Sequence, residues 1–127
     1  MDPQIEERSV RSAAGDTDIG YLKIGSGPAL VIVPGALGLG FDWSFVANAL
    51  ADQVTCYPID RRGKGRSGLG QGFSVEAEAE DIKAVLDVAG PDACLLGHSS
   101  GAIMALEAAR RYPVRKLVIY EPPFYYK

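Results

Sequence analysis

With 127 residues the chain is the size of one small domain, long enough to bury roughly two-thirds of its unfolded surface. Its composition, 47% hydrophobic and 23% charged, is that of an ordinary globular protein, and a net charge of −3 gives no basic footprint for nucleic acid or an anionic membrane. The start, Met1-Asp2-Pro3-Gln4-Ile5-Glu6-Glu7, lacks a signal-peptide pattern, and no apolar run approaches a membrane span, so the expected location is the cytoplasm.

Arg8 to Ser12 and Ile19 to Lys23 read as the strands of a hairpin, joined by Ala14-Gly15-Asp16. Ser26-Gly27-Pro28 is a turn. Ala29-Leu30-Val31-Ile32-Val33 is a continuous apolar run, fitting a central strand covered on both faces, and Pro34-Gly35 breaks it. Phe41 to Asp52 has helical spacing, with Phe41, Phe45, Val46, Ala49 and Leu50 on the apolar face and Asp42 as the expected N-cap. Val54 to Ile59 is the next strand, followed by a Gly-rich loop from Asp60 to Gly72. Ser74 is placed to cap a helix reaching about Val88, with Val75, Ala79, Ile82 and Leu86 on one face. Glu76, Glu78, Glu80 and Asp81 crowd its first half, where the helix dipole favours negative charge.

Gly90-Pro91 ends that helix. A short apolar strand, Ala93-Cys94-Leu95-Leu96, leads into a helix that Pro113 closes, and Lys116 to Tyr120 is the last strand. Alternating strands and helices imply a mostly parallel sheet with helices on both faces in a single α/β domain. Cys56 and Cys94 lie inside strand-like runs and read as small buried hydrophobes. No C-x-x-C or Cys/His cluster points to metal, and no organic cofactor is implied.

The chemistry centres on Gly97-His98-Ser99-Ser100-Gly101. This G-x-S-x-G string between a strand and a helix has the form of a nucleophile elbow, with Ser99 as nucleophile. Its glycines allow the sharp turn that lifts the serine hydroxyl clear of the sheet. The helix starting at Ser100 aims free N–H groups at a reacting oxygen. An oxyanion hole would pair the Ser100 N–H with one from Pro34-Gly35-Ala36-Leu37-Gly38-Leu39-Gly40, Ala36 being the first choice and Leu37 the second. His98, the only histidine, is expected to aim away from Ser99 because successive strand side chains alternate, and it reads as structural. Asp60 to Gly68 contains a G-x-G-x-x-G string, but Leu69-Gly70-Gln71-Gly72 separates it from any helix, which disfavours a dinucleotide site. The P-loop pattern fails too, because Pro58 stands where its first glycine is needed.

Taken together, these residues resemble the α/β-hydrolase superfamily. Gly97 to Gly101 looks like its elbow, Asp60-x-Arg62-Gly63-x-Gly65-x-Ser67 like the loop after its fourth strand, and Pro34-Gly35 stands at its common His-Gly dipeptide. The proline departs from the usual form, yet the donor is a backbone N–H further on. The resemblance covers Arg8 to Phe124. It implies a sheet ordered 1-2-4-3-5-6-7-8 with the nucleophile after strand five. Cys56 then lies on strand four and Cys94 on strand five, two strand spacings apart at about 9.6 Å, beyond the roughly 7 Å a disulfide spans.

The same resemblance puts strands seven and eight, the usual acid after strand seven and the histidine after strand eight outside this sequence. Glu121, just past strand six, is a candidate acid or a contact shaping a cap entrance. The expectation is therefore the N-terminal half of a serine hydrolase acting on a small-molecule acyl substrate through Ser99. Leu117 to Tyr120 would be an apolar edge open to a completing segment or chain. The alternatives are an inactive, truncated binding or interaction module and a nucleotide-binding α/β domain. The aromatic tail Phe124-Tyr125-Tyr126 is a candidate pocket border.

Overall fold

The computed structural model of the chain describes residues 5–123; Phe124, Tyr125 and Tyr126 lie outside the described residues. One sheet holds β1 (Ile5–Arg11), β2 (Asp18–Gly25), β3 (Ala29–Val33), β4 (Thr55–Pro58), β5 (Cys94–His98) and β6 (Leu117–Tyr120). The strand order is β1-β2-β4-β3-β5-β6, which matches the expected order across these six strands. The β1–β2 hairpin joins β4 in antiparallel fashion, and β4, β3, β5 and β6 run parallel.

β3 explains its own sequence. Val31, Ile32 and Val33 are all fully buried, because β3 lies between β4 and β5 with helices on both faces. Val31 and Val33 join a core with Ala79, Ile82 and Val85 of α2 (Val75–Ala89) and Ala105 and Ala108 of α3 (Ser100–Arg111). Ile32 faces the other way, with Ile24, Cys56 and Ala47 of α1 (Ser44–Ala49). α2 begins as its sequence predicts: the Ser74 hydroxyl accepts the Ala77 N–H at 3.0 Å. It ends at Gly90, whose φ of +107° suits glycine.

The segment after β3 departs from the periodic reading. The expected helix over 41–52 is a 3-10 turn, Gly40–Trp43, followed by a six-residue α1. Asp42 is not an N-cap of α1. It sits inside the 3-10 turn, and its carboxylate accepts the Leu39 N–H at 2.7 Å. Gly40 is tied by its N–H to Asp60 at 2.8 Å, so a tertiary bond sets where the turn starts. The face that meets the sheet carries Ala47, with Trp43 and Ala51 packed beside it. Phe41 and Phe45, expected inside, are 65% and 85% exposed.

The cysteines stay unbonded, as the strand register requires: Leu30 of β3 stands opposite both Cys56 and Cys94. Cys56 is fully buried, and burial pushes its thiol up to about 11. Cys94 is only half-buried, because it opens β5 at the rim of the sheet. β6 ends the sheet with Val118 and Tyr120 exposed, while Leu117 and Ile119 pack on the core. Among the described residues no helix is long and apolar enough to cross a membrane, and no cluster of three or more His, Cys, Asp or Glu could hold a metal ion.

The acidic start of α2 does more than complement a dipole. Glu78 and Asp81 are buried against two arginines of the loop after β4. Arg62, fully buried, donates from Nε and Nη2 to Asp81 at 2.9 and 2.8 Å. From Nη1 and Nη2 it donates to Asp16 at 2.8 and 3.0 Å, and Nη1 also reaches the Gly72 carbonyl at 3.0 Å. One guanidinium thus fastens the hairpin turn, the long loop and α2.

Replacing Arg62 by methionine should cost roughly 3–5 kcal/mol at neutral pH, because Asp81 is left buried without its cation. The urea unfolding midpoint reads this directly. Hydrogen bonds from Arg62, then from the Gln71 N–H, hold the Asp16 carboxyl well below its ordinary value of 3.8. A carboxylate lowered by folding stabilises above its unfolded pKa, and that contribution is lost as pH falls through the folded one. The gap between the wild type and Arg62→Met should therefore narrow as the solution is acidified below about pH 4.

Candidate active site

Ser99 follows the last residue of β5 and precedes the first of α3. Its φ of 55° and ψ of −126° lie where a non-glycine residue is strained by about 1–3 kcal/mol. The surrounding chain holds it there. Its N–H donates to the Tyr120 carbonyl at the end of β6 at 2.9 Å, and its carbonyl accepts the Ala102 N–H at 2.9 Å.

The flanking glycines are needed for close approach more than for a special φ. A Cβ on Gly97 would lie 2.6 Å from the Gly101 carbonyl oxygen and 2.7 Å from Ala102 Cα. A Cβ on Gly101 would lie 2.2 Å from the Pro34 oxygen and 2.4 Å from that of Val33. The first turn of α3 is thus pressed against the end of β3. A Cβ on Gly35 would meet Ser99 Cβ at 3.3 Å, so the loop after β3 passes directly beside the candidate nucleophile.

An open cavity of about 670 Å³ lies there, lined by Gly35 to Gly38, Asp42, Trp43, His98 and Ser99. Gly38 donates to the Gly35 carbonyl at 3.1 Å, closing a turn with Ala36 and Leu37 at its centre. Among the described residues the N–H groups of Ser100, Ala36 and Leu37 donate to no protein acceptor, so both loop candidates remain open beside Ser100. The Ser99 hydroxyl is likewise without a protein partner there. The Ser100 hydroxyl is engaged, accepting from Arg61 Nη1 at 2.7 Å. Of two adjacent serines, only one has an uncommitted hydroxyl at the cavity.

His98 corrects its expectation. It lines the same cavity as Ser99 rather than facing away. The alternation of strand side chains stops at His98, because Ser99 has left the extended conformation. The imidazole is stacked on Tyr120 with centroids 5.0 Å apart and meets Trp43 edge-on at 5.8 Å. Glu121, itself at a φ of 53°, brings Oε1 to 3.6 Å from His98 Nε2 and is largely exposed. The structure therefore groups Glu121 with His98.

The Gly-rich loop after β4 is an internal brace. Asp60 accepts N–H groups from Gly40 at 2.8 Å and Arg66 at 3.1 Å, and a Cβ on Gly65 would strike its carboxylate at 2.4 Å. Ser67 donates to the Asp60 carbonyl at 2.6 Å and accepts the Gly20 N–H at 2.8 Å. Gly63 and Gly68 N–H groups are bonded to the Gly68 and Asp18 carbonyls, so they are unavailable to a phosphate. Arg61 and Trp43 are neighbours of the site that the sequence did not single out, and Asp42 was read from it only as a helix N-cap. The traceable signal for Arg61 was the pair Arg61-Arg62 matched by Glu78 and Asp81 three apart on one helix.

The family model described as alpha/beta hydrolase family matches residues 30–126. The chain belongs to this family. Among proteins of known sequence it is 38% identical over 109 residues to N-formylmaleamate deformylase of Pseudomonas putida, covering 81% of this chain and 41% of that protein. It is 35% identical over 111 residues to the uncharacterized hydrolase YraK of Bacillus subtilis, covering 83% and 41%. The chain thus spans about two-fifths of the length of these relatives. Among solved structures, an alpha/beta hydrolase from Sphaerobacter thermophilus superposes with a TM-score of 0.86 at 40% identity, over 94% of this chain and 47% of that one. The N-formylmaleamic acid deformylase of Pseudomonas putida S16 gives 0.83 at 29%, over 93% and 47%. The named relatives of this α/β-hydrolase chain are hydrolases.

The elbow strain predicts an inverted stability order. At an ordinary position glycine is roughly 0.5–1 kcal/mol worse than alanine. At Ser99 the glycine variant should instead be more stable than Ser99→Ala by about 1 kcal/mol in urea unfolding. Equal stability, or the ordinary order, would show that the turn stores no strain.

Proposed function

We propose that these residues form the nucleophile half of a serine-hydrolase site acting on small acyl compounds. The observation that supports this is a serine hydroxyl on a strained elbow, beside backbone N–H groups at an open cavity, all of them without a partner among the described residues. Ser99 Oγ attacks the acyl carbonyl carbon while a base removes its proton. The N–H groups of Ser100 and Ala36, or Leu37 in place of Ala36, take the oxyanion of the tetrahedral intermediate, with the N-terminus of α3 adding its partial positive charge. Collapse expels the leaving group, protonated by the same base, and leaves an acyl-serine. Water then attacks that ester and frees the acid.

The base in this proposal is an imidazole from outside these 127 residues. His98 is the single histidine of the sequence, and it is held between Trp43 and Tyr120. We assign Glu121 as its neighbour rather than as the acid of a triad. The completing residues would come from a further segment or chain that pairs with the open edge of β6. A carbonyl flanked by a nitrogen or oxygen leaving group fits the reading, in line with a deformylase among the relatives.

Labelling of the natural full-length protein with a fluorophosphonate is the test. One adduct on the peptide containing Ser99, lost in Ser99→Ala, is the expected result by mass spectrometry. A folded protein that stays unmodified, or is modified elsewhere, would overturn the reading in favour of a binding module.

A further inference from the structure

Arg61 is buried directly behind the elbow, 7% exposed, against Glu78 at 6%. Its Nε donates to one carboxylate oxygen of Glu78 at 2.7 Å and its Nη2 to the other at 3.2 Å. This two-pronged contact fixes the plane of the guanidinium. Nη1 is then directed at two further acceptors, Ser100 Oγ at 2.7 Å and the Pro34 carbonyl at 3.4 Å. Those acceptors belong to the two separate backbone segments that carry the candidate oxyanion donors. Ser100 is one donor itself, and Pro34 lies two residues before Ala36. Among the described residues no other side chain bonds to both segments.

We propose that Arg61 is the positioning residue of the oxyanion site, holding the Ser100 and Ala36 segments at the separation at which both N–H groups reach one oxygen. The proposal rests on the serine-hydrolase reading above. Arg61 does not touch the substrate. It acts through the Ser100 hydroxyl and the Pro34 carbonyl, with Glu78 as anchor. A buried ion pair is weak as a source of stability, since two apolar side chains of similar volume would serve as well. A fixed guanidinium fork gives what an apolar pair lacks, directed bonds to two oxygens at once. Oxyanion donors are sensitive to such placement. Loss of one costs about 10²–10³ in rate, and misplacement by about 1 Å can cost about 10²-fold.

The test uses the full-length protein with fluorophosphonate, measuring the limiting labelling rate kinact and the binding constant KI separately, alongside Tm. The variants are Arg61→Met, Ser100→Ala and the two combined. Each single change should lower kinact by about tenfold, with KI within twofold of the wild type. The double variant should be no slower than the slower single, because both remove one shared contact. Ser100→Ala leaves the Arg61–Glu78 pair intact, so it decides the matter if Arg61→Met does not fold. Wild-type kinact in Ser100→Ala, losses that multiply in the double variant, or an effect confined to KI would overturn the positioning role while Ser99 labelling still stands. A wild-type protein unlabelled at Ser99 would overturn the hydrolase reading, and this proposal with it.

Discussion

Two adjacent arginines after β4 turn their guanidinium groups to different tasks, and both are anchored on α2. Arg62 gathers Asp81, Asp16 and loop carbonyls, so that the hairpin, the long loop and the helix share one cation. Arg61 takes Glu78 and passes on to Ser100 and Pro34, just past the C-terminal ends of the interior strands β5 and β3, where the site lies. Neither cation has water to fall back on. Each must find its carboxylate or remain an uncompensated buried charge, which makes the loop geometry nearly all-or-none. The parallel strands supply the platform, and this loop orients what stands on it.

The elbow shows the same economy of space. Gly101 packs so closely on the ends of β3 and Pro34 that no larger residue fits, and Gly97 is enclosed by α3. With the backbone fixed on both sides, Ser99 is left in a conformation that it would not choose alone. Strain at that residue is sustained by the apolar contacts of α3 with the sheet, where Ala102, Ala105 and Ala108 are fully buried. Small side chains on that face let the helix axis approach the strands. Ser99 is thereby held in the wall of the cavity, while its neighbour Ser100 is tied down by Arg61.

Much of this was legible from local pattern. The apolar run of β3, the Ser74 cap, the Gly90 stop and the G-x-S-x-G string each depend on nearby residues, and each stands where the sequence puts it. What was not legible depends on residues far apart. α1 turns Ala47 rather than Phe45 inward, because Asp60, twenty residues on, fixes the start of the preceding turn. His98 shares the cavity with Ser99, because the alternation rule ends where the backbone takes a positive φ. Glu78 and Asp81 read as helix-dipole charges until their arginine partners are brought within reach, and that pairing is set by the fold.

A crystal structure of the full-length protein carrying a phosphonate on Ser99 would show whether the Ser100 amide and the loop after β3 hold one oxygen between them. The phosphoryl oxygen should lie about 2.7–3.1 Å from the Ser100 nitrogen and from the nitrogen of Ala36 or Leu37. That structure would also decide between the two loop amides. A phosphoryl oxygen turned into solvent, away from the Ser100 amide and the loop after β3, would mean that these amides form no oxyanion site.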